Sequence, residues 1–271
     1  CGVEGAFSHI AARRMFPEAE LKAFSSFGDA YSSVEQGEYD CAVLPLENSY
    51  AGEVGTVMDL IFSGSLFVNQ VIDLPIVHNL IGIEGSTLEG IKTVVSQSQA
   101  LQQCEKYIEN HGFETQAYSN TALAAMYVKE LNDPTVAAIA ADEVSSVFGL
   151  RVLESEINDN KNNTTRFAAF SRAQNRPLST GKREDENFIL VFTVQNEAGA
   201  LAQTLNIIGS HGFNMRNLRS RPMKNLQWNY FFYIEAEGNI NTENGDDMMR
   251  ELSAVCAKLK LIGTYYANNA V

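Results

Sequence analysis

The sequence predicts an α/β protein, a two-lobed body followed by a smaller βαββαβ unit. Three observations lead there. Short apolar strands alternate with helical periodicities over roughly the first 170 residues. Two extended crossings, Leu66–Ile83 around Pro75 and Leu150–Ile157, interrupt that alternation, the pattern of a second lobe inserted into a first. The polar stretch 172–186, with Pro177 and Gly181, then reads as a linker to a second run of strands and helices.

In chain order, Gly2–His9 is a glycine loop entering a helix over 8–16, with Ser8 as its expected N-cap. Leu21–Phe24 reads as a strand, 27–36 as a helix stopped by Gly37, and Asp40–Leu46 as a continuous apolar strand. That βαβ rhythm implies a parallel sheet covered on both faces. Helices over about 55–63, 98–111, 120–131 and 141–148 and strands Thr93–Ser96, Phe113–Tyr118 and Val136–Ala140 continue it. Within 98–111 the apolar residues Ala100, Leu101, Cys104, Tyr107 and Ile108 share one helical face, and Gly149 stops the last helix of the body. The second run reads strand Phe188–Val194, helix 199–210 ended near Gly212, strand 213–221, and a strand on which Trp228, Tyr230, Phe232, Ile234 and Ala236 alternate. Helix 243–258 and strand Leu261–Tyr265 complete it. This order is that of the ferredoxin-like sandwich, and its aromatic strands suit pairing with a second copy.

With 271 residues the chain exceeds the ~100–150 of a typical domain, so two or three domains are expected. Its 20 basic and 33 acidic residues give a net charge of −13, which repels nucleic-acid phosphates and acidic membrane surfaces, and no local basic patch relieves it. No stretch approaches the ~20 uncharged apolar residues of a membrane span, and the start lacks a basic-then-apolar leader pattern. The chain opens at Cys1 without a methionine, so a first strand is expected ahead of it. Cys1, Cys41, Cys104 and Cys256 are widely spaced and mostly in apolar segments, which points to reduced thiols in a cytoplasmic protein. His9, His78, His111 and His211 lack metal-ligand spacing, so no metal is expected.

Candidate functional residues gather at strand ends, where open α/β sheets bind ligands. Asn48 and Ser49 follow the apolar strand, although they serve equally as caps of the next helix. Ser96 ends another strand, and Gln103 lies off the apolar stripe of its helix. Asn162–Phe167 hands a polar loop directly to a strand and sets several donors and one cation at its mouth. Taken by itself this is ordinary Asn-rich turn chemistry. The Gly2–Gly5 loop fits neither dinucleotide nor P-loop spacing, though the free N–H groups of the helix it opens can hold a carboxylate or phosphate.

Taken together, Gly5–His9, Pro45–Ser49 with Gly52 and Val54, Ser96–Cys104, Asn163–Phe167, Gly199–Ala202 and Ser220–Pro222 make the chain resemble prephenate dehydratases with a carboxy-terminal ACT regulatory domain. The resemblance implies a periplasmic-binding-protein-like (type 2) catalytic domain over 1–172, with lobe 1 at about 1–73 and 158–172 and lobe 2 at about 74–157. A linker over 173–186 and a ferredoxin-like βαββαβ ACT domain over 187–271 follow. It implies the decarboxylating dehydration of prephenate to phenylpyruvate in L-phenylalanine biosynthesis, driven by aromatisation and needing no cofactor. Thr165 matches the family's essential threonine, the expected donor to the leaving hydroxyl, and Glu47, Asn48, Ser49, Ser96, Gln103, Arg166 and Phe167 are the expected substrate-binding residues. Arg166 is expected to pair with a substrate carboxylate or to order the loop. Gly199, Ala200, Leu201, Ala202, Asn214, Arg219, Ser220, Arg221 and Pro222 are implied to hold L-phenylalanine between ACT domains of a homodimer or homotetramer.

Two alternatives stay open: the same elimination on arogenate, and a non-catalytic amino-acid sensor on this fold, against which the intact Thr165-Arg166-Phe167 argues. The chain departs from the family pattern at Val3 and Ala6, at Gln97 where a histidine is usual, and at Arg219 where an acidic residue is usual.

Overall fold

The computed structural model describes residues 3–175, 182, 185–223 and 229–266. Trp228 and most of the expected linker lie outside them. The chain runs α1 (Phe7–Met15), α2 (Phe27–Glu35), β1 (Cys41–Asn48), β2 (Gly52–Glu53) and α3 (Gly55–Ser63). It continues through β3 (Phe67–Pro75), β4 (Asn79–Gly82), β5 (Thr93–Gln97), α4 (Ser98–Gln103), α5 (Glu105–His111) and β6 (Glu114–Tyr118). Next come α6 (Thr121–Leu131), β7 (Val136–Ala140), α7 (Glu143–Phe148), β8 (Arg151–Glu154) and β9 (Thr164–Ser171). The last run is β10 (Glu186–Thr193), α8 (Ala200–Ser210), β11 (Asn214–Pro222), β12 (Tyr230–Glu237), α9 (Glu243–Val255) and β13 (Lys258–Tyr266). Two compact units result, one of residues 1–30, 45–54 and 73–167, the other of 31–44, 55–72 and 168–271.

The first unit is built on a five-stranded sheet in the order β6-β5-β7-β4-β8. Strand β5 runs parallel to β6 and β7, whereas β4 is antiparallel to β7 and β8. Leu80, Val94, Ala137 and Ile139 from these strands meet Cys104 and Ile108 in one core. The helix expected over 98–111 breaks at Cys104, whose backbone (φ −122, ψ 22) leaves the helical region while its side chain stays fully buried. Helix α6 is capped as its sequence suggests, with Asn120 accepting the Leu123 N–H at 2.8 Å. Helix α1, by contrast, starts at Phe7 from Ala6, which makes no side-chain cap, so Ser8 lies inside the first turn and not at the cap. The strand expected at Leu21–Phe24 does not form; Lys22 and Ala23 are exposed, so the segment has no apolar face to bury in a sheet.

In the second unit, β10 to β13 with α8 and α9 follow the expected βαββαβ order, and their strands lie side by side as β11-β12-β10-β13, every neighbouring pair antiparallel. Phe188, Leu190 and Phe192 alternate along β10 toward the helices, where they pack with Ile208, Met248 and Leu252. Helix α9 ends at Val255, short of the expected 258, because Ala257 already donates its N–H to Thr193 on β10. Strand β13 also pairs in parallel with β3 through Gly263 and Val68. Only glycine fits there, since a Cβ at 263 would stand 1.8 Å from the Val68 carbonyl oxygen. Lys258 and Lys260 donate to Phe62, Ile61 and Gly64 carbonyls where α3 ends, the carbonyl-rich terminus that favours cations. Among the described residues no helix is long and apolar enough to cross a membrane.

Candidate active site

The end of β1 and the start of β9 are laced together by short polar side chains. Asn48 Oδ1 accepts the backbone N–H groups of Tyr50 (3.0 Å) and Ala51 (2.9 Å). Those two donors fix which end of the amide is which, so Nδ2 must be the NH2. It donates to Asn163 Oδ1 at 2.8 Å, to Thr165 Oγ1 at 2.9 Å and to the Thr164 carbonyl at 3.2 Å. Thr165 Oγ1 therefore spends an acceptor site on Asn48 and keeps its own proton to donate. Ser49 closes the lacing: its N–H donates to the Thr164 carbonyl, while its hydroxyl accepts the Thr164 N–H and donates to Asn162 O. Gly52, at φ +81, makes the turn that returns β2 onto β1.

A cleft of about 380 Å³ opens beside this lacing, within the volume range of small-molecule sites. Phe7, Phe27, Pro45, Ile76 and Val54 give it apolar walls. Its polar groups are the side chains of Asn48, Thr165, His78, Gln97, Gln99, Gln103 and Thr121, with Glu53 the acidic member of the described lining. Phe7, Gln99 and Thr121 belong to the first turns of α1, α4 and α6, so the positive ends of three helices stand in the wall. His78 Nε2 lies 2.9 Å from Gln103 Oε1, and the Phe7 ring stands edge-on to the imidazole at 5.6 Å. Burial pushes the His78 pKa down, which keeps the ring neutral, and the Gln103 bond opposes this only in part.

Of the residues expected from the sequence, the structure brings Asn48, Gln103 and Thr165 to this cleft and sets the others elsewhere. Ser96 is fully buried and donates to the Ile139 carbonyl at 2.5 Å, tying β5 to β7. Phe167 lies in the core. Arg166 is on the opposite face of β9 from Thr165, because neighbouring residues of a strand point to opposite sides, and it pairs with Asp73 at 2.9 Å. Glu47 sits across from Glu53 in the β1–β2 pair and is not part of the lining. Ser49 braces the loop.

The nine expected effector residues are divided between two elements. Gly199 to Ala202 open α8, with Leu201 packed on the core, whereas Asn214 and Arg219 to Pro222 lie on β11. There Asn214 donates to Glu237, Arg219 to Asn217, and Arg221 pairs with Asp59 of α3 at 3.2 Å; Ser220 and Pro222 are exposed.

His78, Gln99 and Thr121 were not singled out from the sequence. The signal for His78 was present, a lone ionisable residue inside the apolar crossing Leu74–Ile81; Thr121 follows the Asn120 cap directly. Thiol chemistry has no place in the cleft: burial raises the Cys41 and Cys104 pKa values to about 11 and about 12. Among the described residues no cluster of His, Cys, Asp and Glu could hold a metal ion.

The molecule is thus an α/β enzyme whose cleft sets the Thr165 hydroxyl, held by Asn48, among neutral side chains. The chain belongs to the prephenate dehydratase family, whose family description matches residues 1–175. The bifunctional chorismate mutase/prephenate dehydratase of Enterobacter agglomerans is 32% identical over 275 residues, spanning 100% of this chain and 70% of that protein. Arogenate dehydratase/prephenate dehydratase 2, chloroplastic, of Arabidopsis thaliana is 29% identical over 273 residues, spanning 97% of this chain and 71% of that protein. Among solved structures, the prephenate dehydratase of Arthrobacter aurescens in complex with L-Phe superposes with a TM-score of 0.88 at 29% identity, covering 97% of this chain and 88% of that one. GqqA, described as a novel type of quorum quenching acylase, gives 0.87 at 28% identity, covering 98% and 96%.

Proposed function

We propose that this chain converts prephenate to phenylpyruvate by losing the ring hydroxyl as water and the ring carboxylate as carbon dioxide. The observation that carries the proposal is the bond from Asn48 Nδ2 to Thr165 Oγ1, which leaves the threonine proton for the cleft. As the C–O bond of the ring carbinol breaks, Thr165 donates a hydrogen bond to the departing oxygen and relays the proton that makes it water. The electron pair of the ring–carboxylate bond moves into the ring, which becomes aromatic, and carbon dioxide leaves. The dianion consumes one proton from solvent overall, so Thr165 is reprotonated and unchanged after each cycle. Gln103, Gln97, Gln99, Thr121 and the helix starts supply neutral donors for the carboxylates, so the cleft holds an anion with no arginine among its described lining residues. Arg166 acts at a distance, bracing β9 against β3 through Asp73.

Glu53 favours arogenate as a second substrate, since its carboxylate complements the ammonium that arogenate carries in place of the prephenate keto group. Incubating the wild type with each compound and measuring product tests the proposal. Phenylpyruvate from prephenate is expected, with phenylalanine from arogenate if Glu53 acts as stated. Absence of both products refutes the reading.

The same reading divides the chain into a two-lobed, periplasmic-binding-protein-like catalytic domain over 1–172, a linker over 173–186 and an ACT domain over 187–271. The ACT assignment is supported by the βαββαβ order and the β11-β12-β10-β13 arrangement. L-Phenylalanine is its proposed effector, supported by the L-Phe complex of the Arthrobacter relative, with Gly199–Ala202, Asn214 and Arg219–Pro222 as its binding residues. A homodimer or homotetramer in the cytoplasm completes the proposal.

A further inference from the structure

We propose that His78 is a positioning residue for the dehydration: it turns the Gln103 amide so that its N–H donors, and not its carbonyl, face the substrate. The inference rests on the dehydratase reading for the identity of the anion that those donors meet. Its starting point is an asymmetry in the ring. His78 is 2% exposed, and its two nitrogens have different surroundings. Nε2 lies 2.9 Å from Gln103 Oε1, whereas Nδ1 is buried with no hydrogen-bond partner among the described residues.

An orphaned buried N–H is rarer and costlier than a bare acceptor lone pair, so the proton belongs on Nε2. With Nε2–H as the donor, the Gln103 atom facing it must be the carbonyl oxygen, and the NH2 is left for the cleft that both residues line. The opposite arrangement, with Gln103 donating to a bare Nε2, would strand a proton on Nδ1 and turn the Gln103 carbonyl toward an anion. The residue itself is anchored, because its backbone is held on both sides. The His78 N–H donates to Asn158 Oδ1 at 2.6 Å, and its carbonyl accepts the Ile157 N–H at 2.9 Å. Phe7 closes one side edge-on. A core histidine serving only to fill space would be expected to bond backbone groups; this one spends its single side-chain hydrogen bond on a residue of the cleft.

Two measurements decide it. Long-range ¹⁵N–¹H correlation on the full chain, with His78→Gln to assign the ring, is expected to show the Nε2–H tautomer, and an Nδ1–H tautomer overturns the inference. In steady-state kinetics His78→Phe is expected to raise the prephenate KM about tenfold with a smaller change in kcat. His78→Gln keeps a donor near the Nε2 position and is expected to recover most of that loss. In a Gln103→Ala background His78→Phe should cost nothing more, because the amide it orients is gone. Additive losses, or a fall in kcat and melting temperature with KM unchanged, mean a merely structural role. A wild type that makes no product sinks the dehydratase reading, and the ring tautomer then decides the orientation of Gln103 independently.

Discussion

Thr165 would be an unremarkable buried threonine without Asn48. A threonine hydroxyl is a weak acid, so its usefulness depends on where its single proton points. Asn48 settles this because Tyr50 and Ala51 fix its amide, and the amide in turn occupies a lone pair of Thr165. Asn48→Asp reverses the arrangement: a carboxylate cannot donate, so Thr165 must turn its proton away from the substrate. We expect kcat to fall about 100-fold in that variant, the loss typical of a misdirected oxyanion-type donor, together with a lower melting temperature, because the buried carboxylate then faces the Asn163 and Thr164 carbonyl oxygens that the amide had served. A kcat within a few-fold of wild type would contradict the role given to Asn48. Asn48 and Thr165 were legible because each sits where a strand meets a polar loop, and Gln103 because it lies off the apolar stripe of its helix. The placement of Arg166 was also within reach of the sequence, since residues 165 and 166 of one strand cannot both face a cleft. His78 was hidden by its setting, a single imidazole in an apolar crossing whose partner, Gln103, lies 25 residues away.

Elements with strong periodicity were the ones read correctly, such as α3 over 55–63 and β7 over Val136–Ala140. The break at Cys104 was not legible, because the apolar stripe of 98–111 runs through it without a gap. The two-residue β2 depends on a turn at Gly52 that carries no strand signal.

One link between elements carries a pH dependence. His211, just after α8, faces Asn244 and Glu251 of α9. Asn244 Nδ2 donates to the His211 carbonyl, so its Oδ1 must accept from Nδ1–H, while Glu251 attracts a proton on Nε2. The Asn244 bond and then Glu251 hold the His211 pKa above its usual value, against partial desolvation. A raised folded-state pKa stabilises the protein below the unfolded value of about 6.5, and the benefit is lost as pH rises through the folded value. Urea melts of wild type and His211→Ala should therefore differ most at about pH 5.5, with the gap narrowing toward about pH 8 to what the neutral ring's bond to Asn244 contributes. A gap that widens toward alkaline pH would contradict this assignment.

At the scale of the whole molecule, βαββαβ order and α/β alternation were readable along the chain. The membership of the second compact unit was not, because it depends on pairings between distant residues. Gly263 meets Val68, Arg221 meets Asp59, and Lys260 meets the end of α3, each across more than 160 positions. Local periodicity contains no record of such partners, although a glycine in the middle of an aromatic strand is the trace one of them left. Activity decides whether the Thr165 proton is the one delivered to the leaving hydroxyl. The measurement is turnover of prephenate by Thr165→Ser and Thr165→Val, with calorimetry of prephenate binding on both. Serine keeps the hydroxyl and should retain kcat to within about tenfold, whereas valine should lose about 1,000-fold or more while still binding substrate. Valine turning over as fast as serine would contradict the claim outright.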